Sequence, residues 1–591
     1  MMGQIIEKSY DFIVVGGGMS GVCASIAAAR KGVKTALIQN RPVLGGMASS
    51  EHRMHICGAD NHMSVPNVRE TGILEEILLE HKRRNPETSY PIFDAVVWEK
   101  VHFQENLDLY LNTHMTEVYT KSKDKDRKIT EIEAVQLTTE KKFRFRGTLF
   151  MDATGDGSLG AKAGALFHLG RESRDIYGES LAPEEDDTVT MGSSLMFQAR
   201  DAGHPVPFIK PSWAYTYTEA QLRMREHSEV TSGYWWIELG GMTHPIIEDG
   251  EIIRDELLKT IYGVWDHIKN GGDHGAENLE LEWVGALPGK RESRRLIGDY
   301  VLTEKDCREN TAFPDSVAYG GWSMDIHTVG GMLNEEDNPT VWNKVNGIYR
   351  IPYRCLYSAN VSNLYLGGRA ISCSHVAFSS TRVMATCAVT GQAAGTAAAL
   401  AMKKNLTPRE VLSYITELQQ ELLRDDCYIP GLKNEDPLDL AKKAEVYSEG
   451  GTGAERIING VGRAVGEESN CWKAPLKDRP ELCLKWDSCE EISTVQLLFD
   501  SNLSREITPS ISQRVLMRQS RMSPPELIHE YELEFFKEGI SVRKILRDSV
   551  GQRKQVVHLP EKVFCDELRI RPLNTYGSED AVIFEVRAYK D

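Results

Sequence analysis

Three short segments of the sequence carry side chains that could move protons or hold a polar substrate. They are residues 49–55 (SSEHRMH), 325–327 (DIH) and 374–382 (SHVAFSSTR). Imidazole groups serve as general acids and bases, and the guanidinium fork suits planar contacts to carboxylates or hydroxyls. The candidate catalytic residues are therefore His375 and His327 for proton transfer, and Arg382 and Arg53 for holding the substrate.

Each of these histidines has an alternative interpretation as a core residue with a satisfied hydrogen bond. Asp325 precedes His327 by two positions, so on a strand the carboxylate would share a face with the imidazole and could orient it. Arg294 and Arg354 are further candidates for binding a carboxylate, although RESRRLIGDY (291–300) is more typical of structural salt bridges. YWWIELGG (234–241) indicates either an aromatic platform with a carboxylate, as in a sugar subsite, or buried core aromatics.

A glycine-rich turn lies among the elements that must position these side chains. The apolar strand pattern DFIVV (11–15) is followed by GGGMSG (16–21), a small-residue helix and a second apolar run at 34–38. This succession is the context of a dinucleotide-binding turn. Gly16 permits the tight turn, Gly18 lets the backbone approach a pyrophosphate, and Gly21 lets the helix pack on the strand. The N-terminus of the helix then faces the phosphates.

Three later segments strengthen this interpretation. They are PVLGG (42–46), LFMDATGDG (149–157), and NLYLGGR (363–369) followed by a long small-residue helix containing TGQAAG (390–395). Paired glycines allow the backbone to approach a ligand closely. Any one of them could be an ordinary loop, but in this order and spacing they form a set.

With these motifs the sequence resembles the two-dinucleotide-fold FAD proteins, and most closely the broad FAD-dependent oxidoreductase family that also includes heterodisulfide-reductase-A-like flavoproteins. The resemblance covers roughly residues 8–425 and also rests on LGGMASSEHRMHICGA (44–59), RESRRLIGDYVLT (291–303) and RVMATCAVTGQAAG (382–395). It implies an FAD cofactor and an α/β fold. A Rossmann-like FAD/NAD(P)-binding domain would be interrupted by an α+β substrate or cap domain.

The resemblance also implies which residues bind FAD. Gly16, Gly18, Met19, Ser20 and Gly21 would hold the pyrophosphate, Gln39 and Asn40 would lie at the ribose, and Gly45, Gly46, Ser49 and Ser50 would follow the dinucleotide. Ala153, Thr154 and Gly155 would lie beside the cofactor, Gly368 and Arg369 near the ribityl chain, and Val383 at the start of the last helix. The positive end of that helix would stabilise an anionic reduced flavin.

Two residues depart from the family pattern. Gln39 stands where an acidic residue usually binds the adenosine ribose, and Arg369 follows Gly368 where aspartate is usual. An amide can still hydrogen-bond a hydroxyl, so the FAD assignment holds. Covalent attachment of the flavin through His55 or Cys57 is an alternative to non-covalent binding.

The remaining segments complete the predicted architecture. Alternating stretches over 108–150 predict a β-meander before DATGDG, with adenine against Met115 or Val118 or, equally, plain sheet core at both positions. TVQLLFD, YELEFF, QVVHL, ELRIRP and AVIFEVRAY predict a C-terminal all-β sandwich that resembles the discoidin-like, galactose-binding jelly roll. The predicted division is 1–164 (FAD-binding, first part), 165–350 (cap), 351–442 (FAD-binding, second part) and 443–591 (sandwich).

Composition narrows the possible partners. The formal net charge of −17 argues against nucleic acid. The N-terminal residues lack the pattern of a signal peptide, and the longest uncharged run, 383–402, is typical of an interior helix, so we expect no membrane span. The 11 cysteines contain no CxxC pair and the histidines lack metal-site spacing, which predicts a reduced, cytoplasmic protein without a metal.

These observations predict an FAD-dependent oxidoreductase that transfers a hydride between the flavin and a polar small molecule, with the CH–OH group of a carbohydrate or glycoside as the leading substrate. One alternative is a fumarate-reductase-like enzyme that reduces an unsaturated carboxylic acid. Another is a non-catalytic flavin- or carbohydrate-binding protein, for which Gln39 and Arg369 are the only hints. A homo-oligomeric state stays open.

Overall fold

The computed structural model describes residues 5–123 and 126–590 of the 591-residue chain. The chain forms two compact units. Unit 1 comprises Met1–Asn61, Thr88–Leu418 and Thr508–Met517. Unit 2 comprises His62–Glu87, Gln419–Ile507 and Arg518–Asp591, so it includes residues from the predicted FAD-binding segments as well as from the C-terminal one.

The described residues form α-helices distributed along the whole chain. They are α1 (Met19–Arg30), α2 (Ile73–Arg84), α3 (Tyr90–His102), α4 (Ser158–Ala163), α5 (Arg174–Tyr177), α6 (Gly250–Asn270), α7 (Glu304–Glu309), α8 (His375–Thr381), α9 (Met384–Lys404), α10 (Ile415–Arg424) and α11 (Gln513–Leu516).

The strands fall into three groups along the sequence. Those before residue 170 are β1 (Ile6–Val15), β2 (Thr35–Ile38), β3 (Leu107–Tyr110), β4 (Thr113–Lys123), β5 (Asp126–Gln136), β6 (Lys141–Asp152) and β7 (Phe167–His168). The middle group is β8 (Ser193–Ser194), β9 (Phe197–Asp201), β10 (Ser232–Gly233), β11 (Glu238–Leu239), β12 (Leu279–Val284), β13 (Gly289–Lys290), β14 (Arg295–Leu296), β15 (Ser316–Gly320), β16 (Met324–His327), β17 (Thr340–Asn343), β18 (Tyr349–Pro352) and β19 (Leu364–Leu366). The last group is β20 (Glu445–Glu449), β21 (Trp472–Pro475), β22 (Glu481–Phe499), β23 (Ile528–Lys537), β24 (Ile540–Asp548), β25 (Lys554–Thr575) and β26 (Asp580–Tyr589).

A mixed seven-stranded sheet forms the centre of unit 1, with the order β3-β2-β1-β6-β5-β4 and β19 paired with β6. β1 pairs in parallel with β2 and β6, and β2 pairs in parallel with β3. The run Phe12–Val15 in β1 is buried throughout, as expected for a parallel strand covered on both faces. The predicted meander is part of this sheet, because β6 pairs with β5 on one side and with β1 on the other.

Helices α1 and α9 pack against each other with their backbones in close contact. A Cβ atom added to Gly391 would lie 2.3 Å from the carbonyl oxygen of Ser20, and one added to Gly395 would lie 2.1 Å from that of Ala24. Only glycine permits this approach, because any side chain would force the helices apart. The contact explains why the small-residue stretch forms an interior helix that is buried along almost its whole length.

Residues 165–350, which we call the cap, lie in the sequence between two neighbouring strands of the central sheet, β6 and β19. The chain leaves the sheet at the end of β6 and returns to it as β19. Between them, two three-stranded sheets (β10-β9-β12 and β11-β8-β13) and α6 share a hydrophobic core that includes Phe197, Trp236 and Trp265. Trp213 remains 51% exposed, so the tryptophans of this region do not form one cluster.

Unit 2 contains an all-β region, built as one antiparallel sheet in the order β21-β26-β22-β25-β23-β24 with β20 paired with β22. QVVHL and ELRIRP, predicted as separate strands, are both parts of the 22-residue strand β25. The register between β22 and β25 shifts twice, which lets two long strands bend without ending. β24 is a strand that the sequence pattern did not predict.

Buried ion pairs join the distant segments of unit 2. Arg69 contacts Glu75 at 3.0 Å, and Arg553 contacts Asp426 at 3.0 Å and Glu75 at 3.7 Å. The Arg463 guanidinium donates to the Thr71 hydroxyl at 2.9 Å. A buried charge needs a partner, so these contacts tie residues 62–87 to the rest of the unit.

No single helix of the described chain is long and apolar enough to cross a membrane. The pair α8 and α9, bent by 94°, meets the length and composition test only when the two helices are taken together.

The contact between α1 and α9 predicts that substitutions of two helical glycines, Gly395 and Gly250, differ in their effect on stability. We expect Gly395→Val to lower the free energy of unfolding by about 1–3 kcal/mol, because the new side chain overpacks the interface. Thermal unfolding of the purified protein measures this. Gly250→Ala is the matched control, since a Cβ there meets no atom within 4 Å. Equal destabilisation by both variants would contradict the interpretation.

Candidate functional site

The glycine-rich turn joins β1 to α1 and is packed against the end of β6. Gly16 has φ +109°, and a Cβ there would lie 2.1 Å from the carbonyl oxygen of Ala153. A Cβ on Gly21 would lie 1.9 Å from the carbonyl oxygen of Gly16. The packing of the protein itself therefore requires both glycines and brings Ala153 to the turn.

Gly18 differs from these two glycines, because a Cβ added to it would meet no protein atom within 4 Å. It is the N-cap residue of α1, and no side chain caps the helix there. The loop after β2 lies alongside: Gly18 forms a parallel bridge with Gly45, and the Gly45 amide donates to the Gly17 carbonyl at 2.8 Å. We call the open space at Gly18, Gly45 and the first turn of α1 the cradle.

Two buried polar atoms near the cradle have no hydrogen-bond partner among the described residues. They are Oγ of Ser20, in the first turn of α1, and Nδ1 of His52, in the loop that follows Gly46. Burial lowers the pKa of His52 to about 4. Buried polar groups are normally satisfied, so these atoms are where a polar ligand would be expected.

The side chain of Gln39 stabilises the glycine-rich turn through two hydrogen bonds. Its Oε1 accepts the Gly17 amide at 2.9 Å, and its Nε2 donates to the Val43 carbonyl at 3.2 Å. Asn40, the next residue, is exposed. The side chain of Gln39 thus holds the turn and the following loop together, and its predicted contact with the ribose remains a prediction.

Four further residues predicted to contact FAD in the segment 1–164 lie at the edge of the cradle or in the sheet. The Ser49 hydroxyl donates to the Gly46 carbonyl at 2.6 Å, and the Ser50 amide donates to Asp94 at 3.1 Å. Met115 and Val118 lie on β4, where Met115 is in the core of the sheet and Val118 packs against it. These contacts match the plain sheet-core alternative for both, and an adenine contact stays untested.

Arg369 connects the two later FAD motifs. Its Nη2 atom would lie 2.8 Å from a Cβ added to Gly155 and is 3.6 Å from Oδ1 of Asp156. Lys290 also pairs with Asp156, at 2.6 Å. Burial alone would raise the pKa of Asp156, but Lys290 and Arg369 lower it below its usual value. The arginine that departs from the family pattern therefore neutralises the second aspartate of DATGDG.

His327 lies at the end of β16 between two buried carboxylates. Its Nδ1 is 2.6 Å from Glu238 and its Nε2 is 3.2 Å from Asp325. Arg382 approaches both Asp325, at 2.6 Å, and Nε2 of His327, at 3.1 Å. Arg291 lies 3.3 Å from Glu238. We call these five residues the His327 group.

The charges in the His327 group are matched. Two guanidinium groups face two carboxylates, with the imidazole between them. Burial alone would raise the pKa of Glu238, but Arg291 and His327 lower it, to about 2. The same balance of burial against His327 and Arg382 leaves the pKa of Asp325 well below its usual value. Both carboxylates are therefore ionised at neutral pH.

His375 belongs to a second buried set at the start of α8. Its Nδ1 is 2.9 Å from Glu292, and its backbone amide donates to Glu172 at 2.9 Å. Arg295 contacts both Glu172, at 2.7 Å, and Glu292. The interpretation of RESRR as a salt-bridged segment thus agrees with the position of Arg295, which is completely buried.

One small pocket, with a cavity volume of about 20 Å³, brings the two histidines together. Its lining includes His327, His375, Glu238, Arg171, Thr190 and Thr328. Two histidines that the sequence could only propose separately therefore share one cavity.

Arg53 lies elsewhere in unit 1. Its Nη1 donates to Gln198 at 2.7 Å, and its guanidinium stacks 4.3 Å from the ring of Trp283. Arg294 and Arg354 bind the Asp156 carbonyl and the Asp315 carboxylate, respectively. The arginines proposed as a carboxylate clamp therefore do not converge.

Comparison with protein families decides the identity of the chain. The family model for FAD dependent oxidoreductases matches residues 11–422. The chain belongs to this family. It is an FAD-dependent oxidoreductase, with the Rossmann-like domain that the family implies.

Comparison with curated proteins gave no match. Among solved structures, the lectin domain of lectinolysin complexed with Lewis B antigen has 11% identity and a TM-score of 0.20, covering 27% of this chain and 99% of that chain. A family 32 carbohydrate-binding module from C. perfringens in complex with galactose has 14% identity and a TM-score of 0.18, covering 25% and 95%. A Streptococcus pneumoniae fucose binding module has 9% identity and a TM-score of 0.20, covering 27% and 99%. Likeness at this level carries no argument about the chain.

The cradle of this FAD-dependent oxidoreductase fits its cofactor. Open space at Gly18, the uncapped first turn of α1 and the buried Ser20 hydroxyl together suit an anionic pyrophosphate. Val383 is the N-cap residue of α9 and also lacks a side-chain cap. The Ala385 amide in that first turn donates to the Cys57 carbonyl at 3.0 Å, so the loop after β2 is fixed to the start of α9.

Sequence reasoning missed several residues around the two histidines. Glu238 was noted only as part of YWWIELGG, either an aromatic platform with a carboxylate or a run of buried core aromatics, whereas the fold makes it the partner of His327. Glu292 and Arg291 were not proposed at all. Their only signal was the density of charge in RESRR, next to residues that the resemblance already marked.

The open space at Gly18 predicts a variant that folds but loses its cofactor. We expect Gly18→Val to retain the secondary structure and thermal stability of the FAD-free protein, because the new side chain meets no protein atom. FAD content after gel filtration should fall by at least about tenfold, because the side chain fills the site of the pyrophosphate.

Gly250→Ala again serves as the control and should keep its flavin. A Gly18→Val protein that retains FAD would show that the cradle does not hold the pyrophosphate. Flavin absorbance before and after denaturation also reports whether the cofactor is bound through His55 or Cys57.

Proposed function

We propose that this FAD-dependent oxidoreductase oxidises a CH–OH group of a polar small molecule, with a carbohydrate or glycoside as the leading substrate class. The observation that carries the proposal is the position of His327, held between Glu238 and Asp325 at the wall of a small pocket. Alcohol oxidation requires removal of the hydroxyl proton, and a positioned imidazole is the commonest group for that task.

The chain's own groups support the proton step. Glu238 holds Nδ1–H of His327. Nε2, which also contacts Asp325 and Arg382, accepts the substrate proton when the substrate hydroxyl takes the place of the Arg382 N–H. The imidazolium that forms is stabilised by the carboxylates of Glu238 and Asp325. FAD, when bound, supplies the acceptor for the hydride. His375 lines the same pocket and serves to orient the substrate through its second ring nitrogen.

The pairing of the arginines favours a neutral substrate over an unsaturated acid. Arg171 binds Asp187, Arg291 binds Glu238, and Arg382 binds Asp325. A substrate carboxylate would need a guanidinium whose charge is not already matched. Fumarate-reductase-like chemistry is therefore the second candidate, and it is supported only by the presence of Arg171 in the pocket wall.

Anaerobic flavin reduction separates the two candidates. The flavin-loaded protein is mixed without oxygen with a panel of sugars, glycosides and polyols, and its flavin absorbance is followed. We expect at least one hydroxyl compound to bleach the flavin. Dithionite-reduced protein mixed with unsaturated carboxylic acids provides the opposite test. Reoxidation by an unsaturated acid, with no bleaching by any hydroxyl compound, would favour the reductase and overturn the proposal.

Substitution of His327 tests its role as the base. We expect His327→Gln to lower kcat by about 100- to 10,000-fold with the FAD content unchanged. His114→Gln, at an exposed position on β4, is the matched control and should retain full activity. Glu238→Gln should lower kcat and alter the pH profile of the rate, because it removes the charge that stabilises the imidazolium. Wild-type rates in His327→Gln would remove this histidine from the mechanism.

A further inference from the structure

Three histidines and one glutamate converge in the cap, apart from the His327 group. They are Glu219, His227, His267 and His274, and one potential ligand atom from each lies within 4.8 Å of all the others. His267 is 3% exposed, and the side chains of His227 and His274 are 10% and 15% exposed. The Glu219 side chain is 70% exposed.

The distances within this cluster match those between ligands of a tetrahedral ion. The Glu219 carboxylate lies 3.1 Å from Nε2 of His267, 3.5 Å from Nε2 of His227 and 4.0 Å from Nε2 of His274. Nε2 of His267 and Nε2 of His274 are 3.2 Å apart. Zinc binds nitrogen and oxygen at about 2.0–2.2 Å in tetrahedral geometry, which separates neighbouring ligand atoms by about 3.3 Å.

The rings are oriented so that their edges converge. The interplanar angles between the three imidazoles are 71°, 59° and 63°, so none of the pairs is stacked face to face. Nδ1 of His227 lies 2.5 Å from the Arg225 carbonyl oxygen. A metal-binding histidine usually donates its second ring N–H in this way, which fixes the ring and leaves the other nitrogen for the ion.

The four residues come from two segments of the cap that are far apart in sequence. Glu219 and His227 lie in the loop between β9 and β10, whereas His267 is in the last turn of α6 and His274 follows that helix. An ion bound by all four would join the loop to the end of the helix. The spacing rule that predicted no metal site examines ligands that are close in sequence, and the fold brings these together from a distance.

We propose that Glu219, His227, His267 and His274 bind a divalent transition-metal ion, with Zn²⁺ the ion that this ligand set suits best. Three imidazoles and a carboxylate are typical zinc ligands, whereas calcium and magnesium require mainly oxygen ligands. Four protein ligands close the coordination sphere, so the ion has a structural role. The proposal is independent of the oxidoreductase chemistry.

The test uses the full-length, tag-free protein after removal of metal with EDTA. We expect equilibrium dialysis with Zn²⁺ alone to load about one ion per chain. Co²⁺ should give the intense visible bands of tetrahedral coordination, which lie at longer wavelength than flavin absorption. Zn²⁺ should raise the unfolding temperature by a few degrees, since the ion binds only the folded chain.

Variants identify the ligands. We expect the double variant His267→Gln/His274→Gln to lose the tetrahedral Co²⁺ spectrum, with at least about 100-fold weaker zinc binding. Glu219→Gln, at an exposed position, serves as a second variant that leaves the cap folded and should weaken binding less. His204→Gln, an exposed histidine in the same cap, is the matched control and should bind as the wild type does.

Three results would overturn the proposal. They are the absence of stoichiometric zinc in the wild type, an unchanged Co²⁺ spectrum in both ligand variants, or equal loss of binding in the His204→Gln control. Binding should also weaken as the solution is acidified, because protons then compete for the imidazole nitrogens. Binding that does not change with pH would contradict histidine ligation.

Discussion

The backbone contact between α1 and α9 is the constraint on which the functional part of unit 1 depends. Gly391 and Gly395 allow the carbonyl groups of Ser20 and Ala24 to approach α9 directly. This fixes the first turn of α1, where the cradle lies. It also fixes the start of α9, which binds the Cys57 carbonyl and follows Arg382 by two residues. One contact between helices therefore sets the relative positions of the glycine-rich turn, the loop after β2 and the arginine of the His327 group.

Burying the five ionisable side chains of the His327 group is costly unless their charges cancel. The two carboxylates and two guanidinium groups cancel, and the imidazole lies between the two carboxylates. The His375 set is arranged differently, since Arg295 faces both Glu172 and Glu292. The second histidine accordingly sits beside an excess of negative charge. This difference supports separate roles for the two histidines in the proposed reaction.

Local patterns predicted the parts of the structure that local contacts determine. The glycine-rich turn and the pairing of Asp325 with His327 depend on residues close in sequence, and each is present. Glu238 could not be assigned to His327 from sequence, because the contact crosses two sheets of the cap. The contact of Gln39 could not be predicted from sequence either, because its partner is the backbone amide of Gly17, which a pattern of residue types does not identify. The strand β25 was divided in two because register shifts interrupt the alternation of its side chains without ending it.

The composition of unit 2 has a consequence for how the protein is made. Arg463 and Arg553 are buried against Thr71 and Glu75, which precede them in the chain by 392 and 478 residues and lie in the segment 62–87. During synthesis this segment is made long before its partners. The contacts of Arg69 and Glu75 with the rest of unit 2 can therefore form completely only after the last strands have been synthesised. A gene fragment beginning at residue 443 would encode the strands of the sheet but would omit Glu75 and Asp426, leaving Arg553 buried without either carboxylate. The β-region therefore could not be transferred between proteins as one continuous stretch of sequence. A transferred gene segment would also have to include residues 62–87, which lie within the nucleotide-binding sequence.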